Sequence, residues 1–116
     1  MGYAFGSYDE MGDGVFRKVR RELDVTAFGV NVLVLPPGVV ARAHYHDEQD
    51  ELYFIHRGRA RFDVGDESRE LGPGGMLHVD ATTPRRMSNP GDEELVVLVV
   101  GAKDGYVGRD GRPADI

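Results

Sequence analysis

Apolar residues along this chain fall in short runs rather than at helical spacing. No window of eleven or more residues sustains a 3.6-residue period, and residues 19–23 would make one helical turn at most. The runs read instead as strands, over 15–20, 26–35, 39–46, 51–57, 59–64, 68–71, 76–79, 85–88 and 94–100. Turn chemistry separates them. Pro36-Pro37-Gly38 ends pairing after the second run, because proline offers no N–H to a ladder. Gly65-Asp66 is a hairpin signal, and Gly72-Pro73-Gly74-Gly75 and Asn89-Pro90-Gly91-Asp92 are turns. About nine or ten short strands joined by tight turns predict an all-β sandwich or barrel.

Some strands do not alternate. Val32-Leu33-Val34-Leu35 and Leu95-Val96-Val97-Leu98-Val99-Val100 are apolar on both faces, and Leu52 and Phe54 are apolar opposite Glu51. A small barrel has one interior, so the second face calls for another layer, either the N-terminal strand or a second subunit. A homodimer is the expectation.

Composition narrows the picture. A chain of 116 residues supports one domain, here residues 1–116, with an irregular arm over 1–14, a barrel over 15–100 and a loose, glycine-rich tail over 101–116. There is no cysteine, which removes disulfides, thiolate metal sites and cysteine nucleophiles. Any metal must be held by nitrogen and oxygen. The net charge is −6 and the 14 Lys and Arg are scattered, so nucleic acid is not an expected partner. The opening residues lack a signal-peptide pattern, and the longest apolar run, 95–100, is far short of a membrane span. The expected location is cytoplasmic.

Candidate chemistry lies in residues 38–58. His44 and His46 are two apart, so on a strand both imidazoles share a face. Four turn-prone polar residues, 47–50, separate them from Glu51, which opens Leu52-Tyr53-Phe54-Ile55. A short loop would fold the second strand back against the first and bring the Glu51 carboxylate beside both imidazoles. Two neutral nitrogens and a carboxylate converging on a point form a facial site for a divalent metal, with open positions left over. Tyr53 shares the Glu51 face and would line the cavity, while His56 alternates away. The serines sit in no triad context, which argues against hydrolysis by nucleophilic attack.

The pattern Gly38, His44, His46, Glu51, Gly58 resembles the first motif of the cupin family, G-x5-H-x-H-x(3,4)-E-x6-G, at every fixed position. The resemblance implies an antiparallel β-barrel of jelly-roll, or double-stranded β-helix, type. Its metal would sit inside, held by both histidines, the glutamate and a third histidine from a second motif. It also points to a dimer. The second motif is only partly present. Gly74 and Asn89 fit its ends, but Asp80 and Thr82 replace its Pro and Gly, and Arg85 stands where the ligand histidine belongs. A guanidinium stays protonated and has no lone pair to give a metal. Turned inward, Arg85 would repel a cation, pair with Glu51, or offer a fork to an anionic ligand. His78, on a nearby strand, is the candidate for a substitute fourth ligand.

Two functions follow. One is a metal-dependent enzyme, a dioxygenase or isomerase, with Fe, Mn, Ni or Zn on His44, His46 and Glu51 and a small anionic molecule oriented by Arg85 and Tyr53. The other is a metal-free, non-catalytic small-molecule binding protein in which Glu51 and Arg85 neutralise each other.

Overall fold

In a computed structural model describing residues 2–116, two five-stranded antiparallel sheets face each other. The elements in chain order are β1 (Phe16–Arg17), α1 (Val19–Glu22), β2 (Gly29–Leu35), β3 (His44–His46), β4 (Asp50–Arg57), β5 (Ala60–Val64), β6 (Glu67–Leu71), β7 (Met76–Val79), β8 (Arg85–Ser88), β9 (Leu95–Ala102) and β10 (Gly111–Pro113). One sheet runs β1-β2-β9-β4-β7, the other β10-β3-β8-β5-β6. Neither helical segment, α1 nor the 3₁₀ turn Tyr8–Glu10, exceeds four residues. No helix among the described residues is long and apolar enough to cross a membrane.

The core lies between the sheets. Leu33, Leu35, Tyr53, Ile55, Val97 and Val99 from the first sheet pack against Ala60, Phe62 and Met87 from the second. The doubly apolar strands have their explanation on the outer face of the first sheet. There Val32, Val34 and Val96 form a second buried cluster, covered by Tyr8 and Val19 of the N-terminal segment. Docking there is the physical reason that residues 15–20 are not one strand. The chain makes a two-residue β1, then turns into α1 so that Val19 meets the sheet. Leu52 and Met76 remain exposed on the same sheet.

Two further expectations are corrected. The strand expected over 39–46 forms only at its end. Val40 is 62% exposed and makes one isolated bridge to Ser88. The tail is not loose. β9 continues to Ala102, β10 pairs with β3 in the register Gly111↔His46, and Asp110 is buried.

Two fixed positions of the motifs are structural. Asn89 donates through Nδ2 to the carbonyls of Leu35 and Glu93, at 2.9 and 2.8 Å, and accepts from the Gly91 N–H at 3.0 Å. It thereby ties the end of β2 to the β8–β9 turn. Gly58 has φ +81°, and a Cβ there would lie 2.5 Å from the Glu94 carbonyl oxygen. Backbone cannot move aside as a flexible side chain can. Gly58→Ala should therefore cost about 2–4 kcal/mol, read as a lowered urea midpoint with an unchanged slope.

Candidate metal centre

The two motif strands do not form the expected hairpin. β3 pairs with β8 and β10 in one sheet, and β4 pairs with β7 and β9 in the other. The 47–49 connection therefore crosses between the sheets, and His44 and His46 meet Glu51 across the open end of the barrel. His44 Nε2 lies 3.5 Å and His46 Nε2 3.3 Å from the same oxygen, Glu51 Oε1. Ligands on adjacent corners of an octahedral ion with bonds of about 2.1 Å lie about 3.0 Å apart, so little movement separates this arrangement from a ligand set. The rings stand nearly perpendicular, 88° with centroids 5.0 Å apart.

Both imidazoles are held by their other nitrogen. His46 Nδ1 lies 2.8 Å from Asp110 Oδ1, and His44 Nδ1 lies 3.4 Å from the Arg42 carbonyl oxygen. An ionised carboxylate and a carbonyl only accept, so each Nδ1 carries the proton and each neutral ring turns its Nε2 lone pair toward Glu51. His46 Nε2 is buried and has no hydrogen-bond partner among the described residues. A lone pair facing a carboxylate oxygen at 3.3 Å is repulsive unless a cation lies between them, either a proton or a metal ion. The pKa directions agree. Burial opposes charge on His46, but Glu51 and Asp110 outweigh it and raise its pKa. Burial would likewise raise Glu51, yet the facing His44 and His46 imidazoles, with help from the Tyr53 hydrogen bond, hold it well below the usual carboxylate range.

Glu51 Oε1 has further company. Tyr53 donates its O–H to it at 2.7 Å. Burial, and then the Glu51 charge, push the phenol above its ordinary pKa, so Tyr53 acts as a neutral donor. Arg85 turns inward, is 1% exposed, and donates from Nη2 to Glu51 Oε1 at 3.1 Å. Its Nη1 serves the carbonyls of Ala81 at 3.0 Å and Thr83 at 2.7 Å, and its Nε reaches the Tyr53 oxygen at 3.5 Å. Most of its N–H groups are thus engaged within the protein, leaving one Nη2 hydrogen for a ligand. The neighbouring Arg86 leaves the barrel and pairs with Asp63.

His78 does not join the centre. Its Cα pairs with Leu52, while Val79 pairs with Glu51, so strand alternation puts His78 on the outer face. There it is exposed, 3.7 Å from both Asp50 and Asp80. That trio could also gather round a cation; the Ala81 N–H holds Asp50 at 2.9 Å, but His78 and Asp80 are exposed.

Asp110 is the residue sequence reasoning missed. Its Oδ1 accepts from His46 Nδ1 and, at 2.6 Å, from Gln49 Nε2. Its Oδ2 accepts from the backbone N–H groups of Glu48 and Gln49, at 3.0 and 2.9 Å. Gln49 and Glu48 overcome the effect of burial and hold this carboxyl well below its ordinary pKa. Asp110 thus fixes both the tautomer of His46 and the crossing loop between the two motif strands. Its one local signal is the Asp-Gly pair, which reads as an ordinary turn.

The family description "Cupin domain" matches residues 31–101, well over half of the chain. The chain belongs to the cupin family. A cupin protein from Bacteroides fragilis has the same fold, with a TM-score of 0.76 at 23% identity, covering 89% of this chain and 86% of that one. An uncharacterised protein of Streptomyces coelicolor is 32% identical over 88 residues, 76% of this cupin and 79% of that protein. Another, from Methanocaldococcus jannaschii, is 28% identical over 65 residues, and the match spans only about half of its length, 52%.

Proposed function

We infer that this cupin binds a divalent metal ion through His44 Nε2, His46 Nε2 and Glu51 Oε1, and uses the remaining positions to bind a small anionic molecule. One observation carries the reading: the buried His46 Nε2, locked in tautomer by Asp110, faces the Glu51 carboxylate oxygen at 3.3 Å and has no hydrogen-bond partner among the described residues. Nitrogen and carboxylate oxygen suit Fe, Mn, Ni or Zn. Such an ion, when bound, supplies Lewis-acid polarisation of an oxygen-bearing ligand. The surrounding charge favours an anion. A divalent ion and Arg85 together outweigh Glu51 and Asp110, leaving the pocket positive. Arg85 and Tyr53 share Glu51 with the metal, so binding is weaker than with a four-ligand set. His44, the most exposed ligand, marks the open side through which a small molecule would enter.

The competing reading is a metal-free binding protein held by the Glu51–Arg85 ion pair, which is present at 3.1 Å. Titrating Mn(II) into tag-free protein distinguishes the two. The metal reading expects one equivalent bound by wild type and none by His44→Ala. Equal binding by both would place the ion elsewhere, and no binding by wild type would favour the ion pair.

Acid adds a second check. A His46 pKa raised above 6.5 makes protons compete with metal at higher pH than they would for a free imidazole. Below the raised pKa each unit of pH should therefore weaken metal binding about tenfold. An affinity flat between pH 8 and about pH 5 would contradict ligation by histidine.

A further inference from the structure

On a chain of net charge −6, one cleft is basic. It measures about 190 Å³ and is lined by Phe16, Lys18, Arg20, Arg21, Asn31 and Tyr106. It lies where β1, α1 and β2 meet the C-terminal segment, apart from the metal centre. Most cations of this protein are already answered. Arg57, Arg59, Arg61, Arg69, Arg85, Arg86 and Arg112 each lie within 4.0 Å of a carboxylate. Arg17 is bound by backbone carbonyls. The other six cations, Lys18, Arg20, Arg21, Arg42, Lys103 and Arg109, have no carboxylate within that distance among the described residues, and three of the six gather at this cleft. Three like charges around one concavity repel one another, and an anion set between them relieves that repulsion.

One wall of the cleft is a stacked pair. The Arg20 guanidinium stacks 4.1 Å from the centroid of the Tyr106 ring. A guanidinium stacked on its face keeps its N–H edge for a bidentate acceptor such as a phosphate. Tyr106 is 42% exposed and lies over the backbone of Gly29 and Gly108, where a Cβ would stand 3.7 Å from its ring and 3.0 Å from its phenol oxygen. Asn31 adds an amide from β2, and Phe16, 62% exposed, supplies an apolar side.

We propose that this cleft binds a phosphate dianion, free or as a monoester. A phosphoryl group carries close to two negative charges at neutral pH and accepts several hydrogen bonds, which matches three clustered cations better than a single carboxylate does. The volume admits a phosphoryl group with room beyond it, so an organic part would extend along Phe16 toward solvent.

Isothermal titration of tag-free protein at low ionic strength tests this, with inorganic phosphate and adenosine 5′-monophosphate as probes. Saturable one-to-one binding with Kd below about 1 mM is expected, weakened at least about tenfold in R20Q/R21Q. It should also weaken with added salt. Retained binding in R69Q, an exposed arginine elsewhere, serves as the control. Tighter binding of the nucleotide assigns the Phe16 wall to an organic part, and equal binding assigns free phosphate; both support the site. Absence of saturation with either probe, or equal affinity in wild type and a folded R20Q/R21Q, would overturn it.

Discussion

Asp110→Ala should be the most destabilising single side-chain truncation in the tail. It removes the acceptor of four donors, His46 Nδ1, Gln49 Nε2 and the N–H groups of Glu48 and Gln49, and Gln49 Nε2 alone keeps a second acceptor, the Val107 carbonyl. A buried donor left unpaired costs about 1–3 kcal/mol, and water entering from the adjacent surface recovers part of that. The expected loss is about 3–5 kcal/mol, which for a domain of this size lowers Tm by about 15 °C. Asp110→Asn keeps an acceptor oxygen and should cost less. Both variants should weaken metal binding about 10- to 100-fold, because His46 loses the anion that orients its ring and strengthens it as a donor. Thermal unfolding and metal titration read the two effects separately. Wild-type Tm and wild-type metal affinity in Asp110→Ala would show that the tail braces nothing.

Arg85→His should strengthen metal binding and weaken the metal-free protein at once. The variant would supply the imidazole expected at this position from the family's second motif, and would remove the cation that shares Glu51 Oε1. Each change favours a divalent ion, so affinity should rise at least about tenfold, or about 1.4 kcal/mol. The same change strips the Ala81 and Thr83 carbonyls of their donor and leaves Glu51 without its buried partner. Removing one member of a buried pair is expensive, so the metal-free variant should lose about 2–4 kcal/mol. Saturating metal should restore much of that by mass action. Unchanged affinity would mean that Arg85 does not oppose the metal.

What could be read from the sequence was local. Strand alternation put His44 with His46, and Glu51 with Tyr53, because a period of two requires only neighbouring residues. What failed required pairing over distance. The register Leu52↔His78 sends His78 to the outer face, and nothing near residue 78 records which strand lies beside it. The motif register identified Arg85 but not its direction. The Ala81 and Thr83 carbonyls that hold it belong to a loop whose shape residues 80–84 do not announce. Asp110 lies 64 positions from His46 in a polar, glycine-rich stretch. It is held through a three-residue β10 that contains a proline, too short to show alternation. The non-alternating 32–35 and 95–100 runs did report a second layer. The sequence left open whether the N-terminal strand or another chain supplied it; Tyr8, in a 3₁₀ turn, and Val19, in α1, fill part of that place instead.

The most direct test of the metal assignment is an anomalous-scattering map from crystals of tag-free protein grown with Mn(II) near neutral pH. The account predicts one dominant peak at about 2.0–2.3 Å from His44 Nε2, His46 Nε2 and Glu51 Oε1. A map with no peak there, or with its peak instead among Asp50, His78 and Asp80, would contradict it.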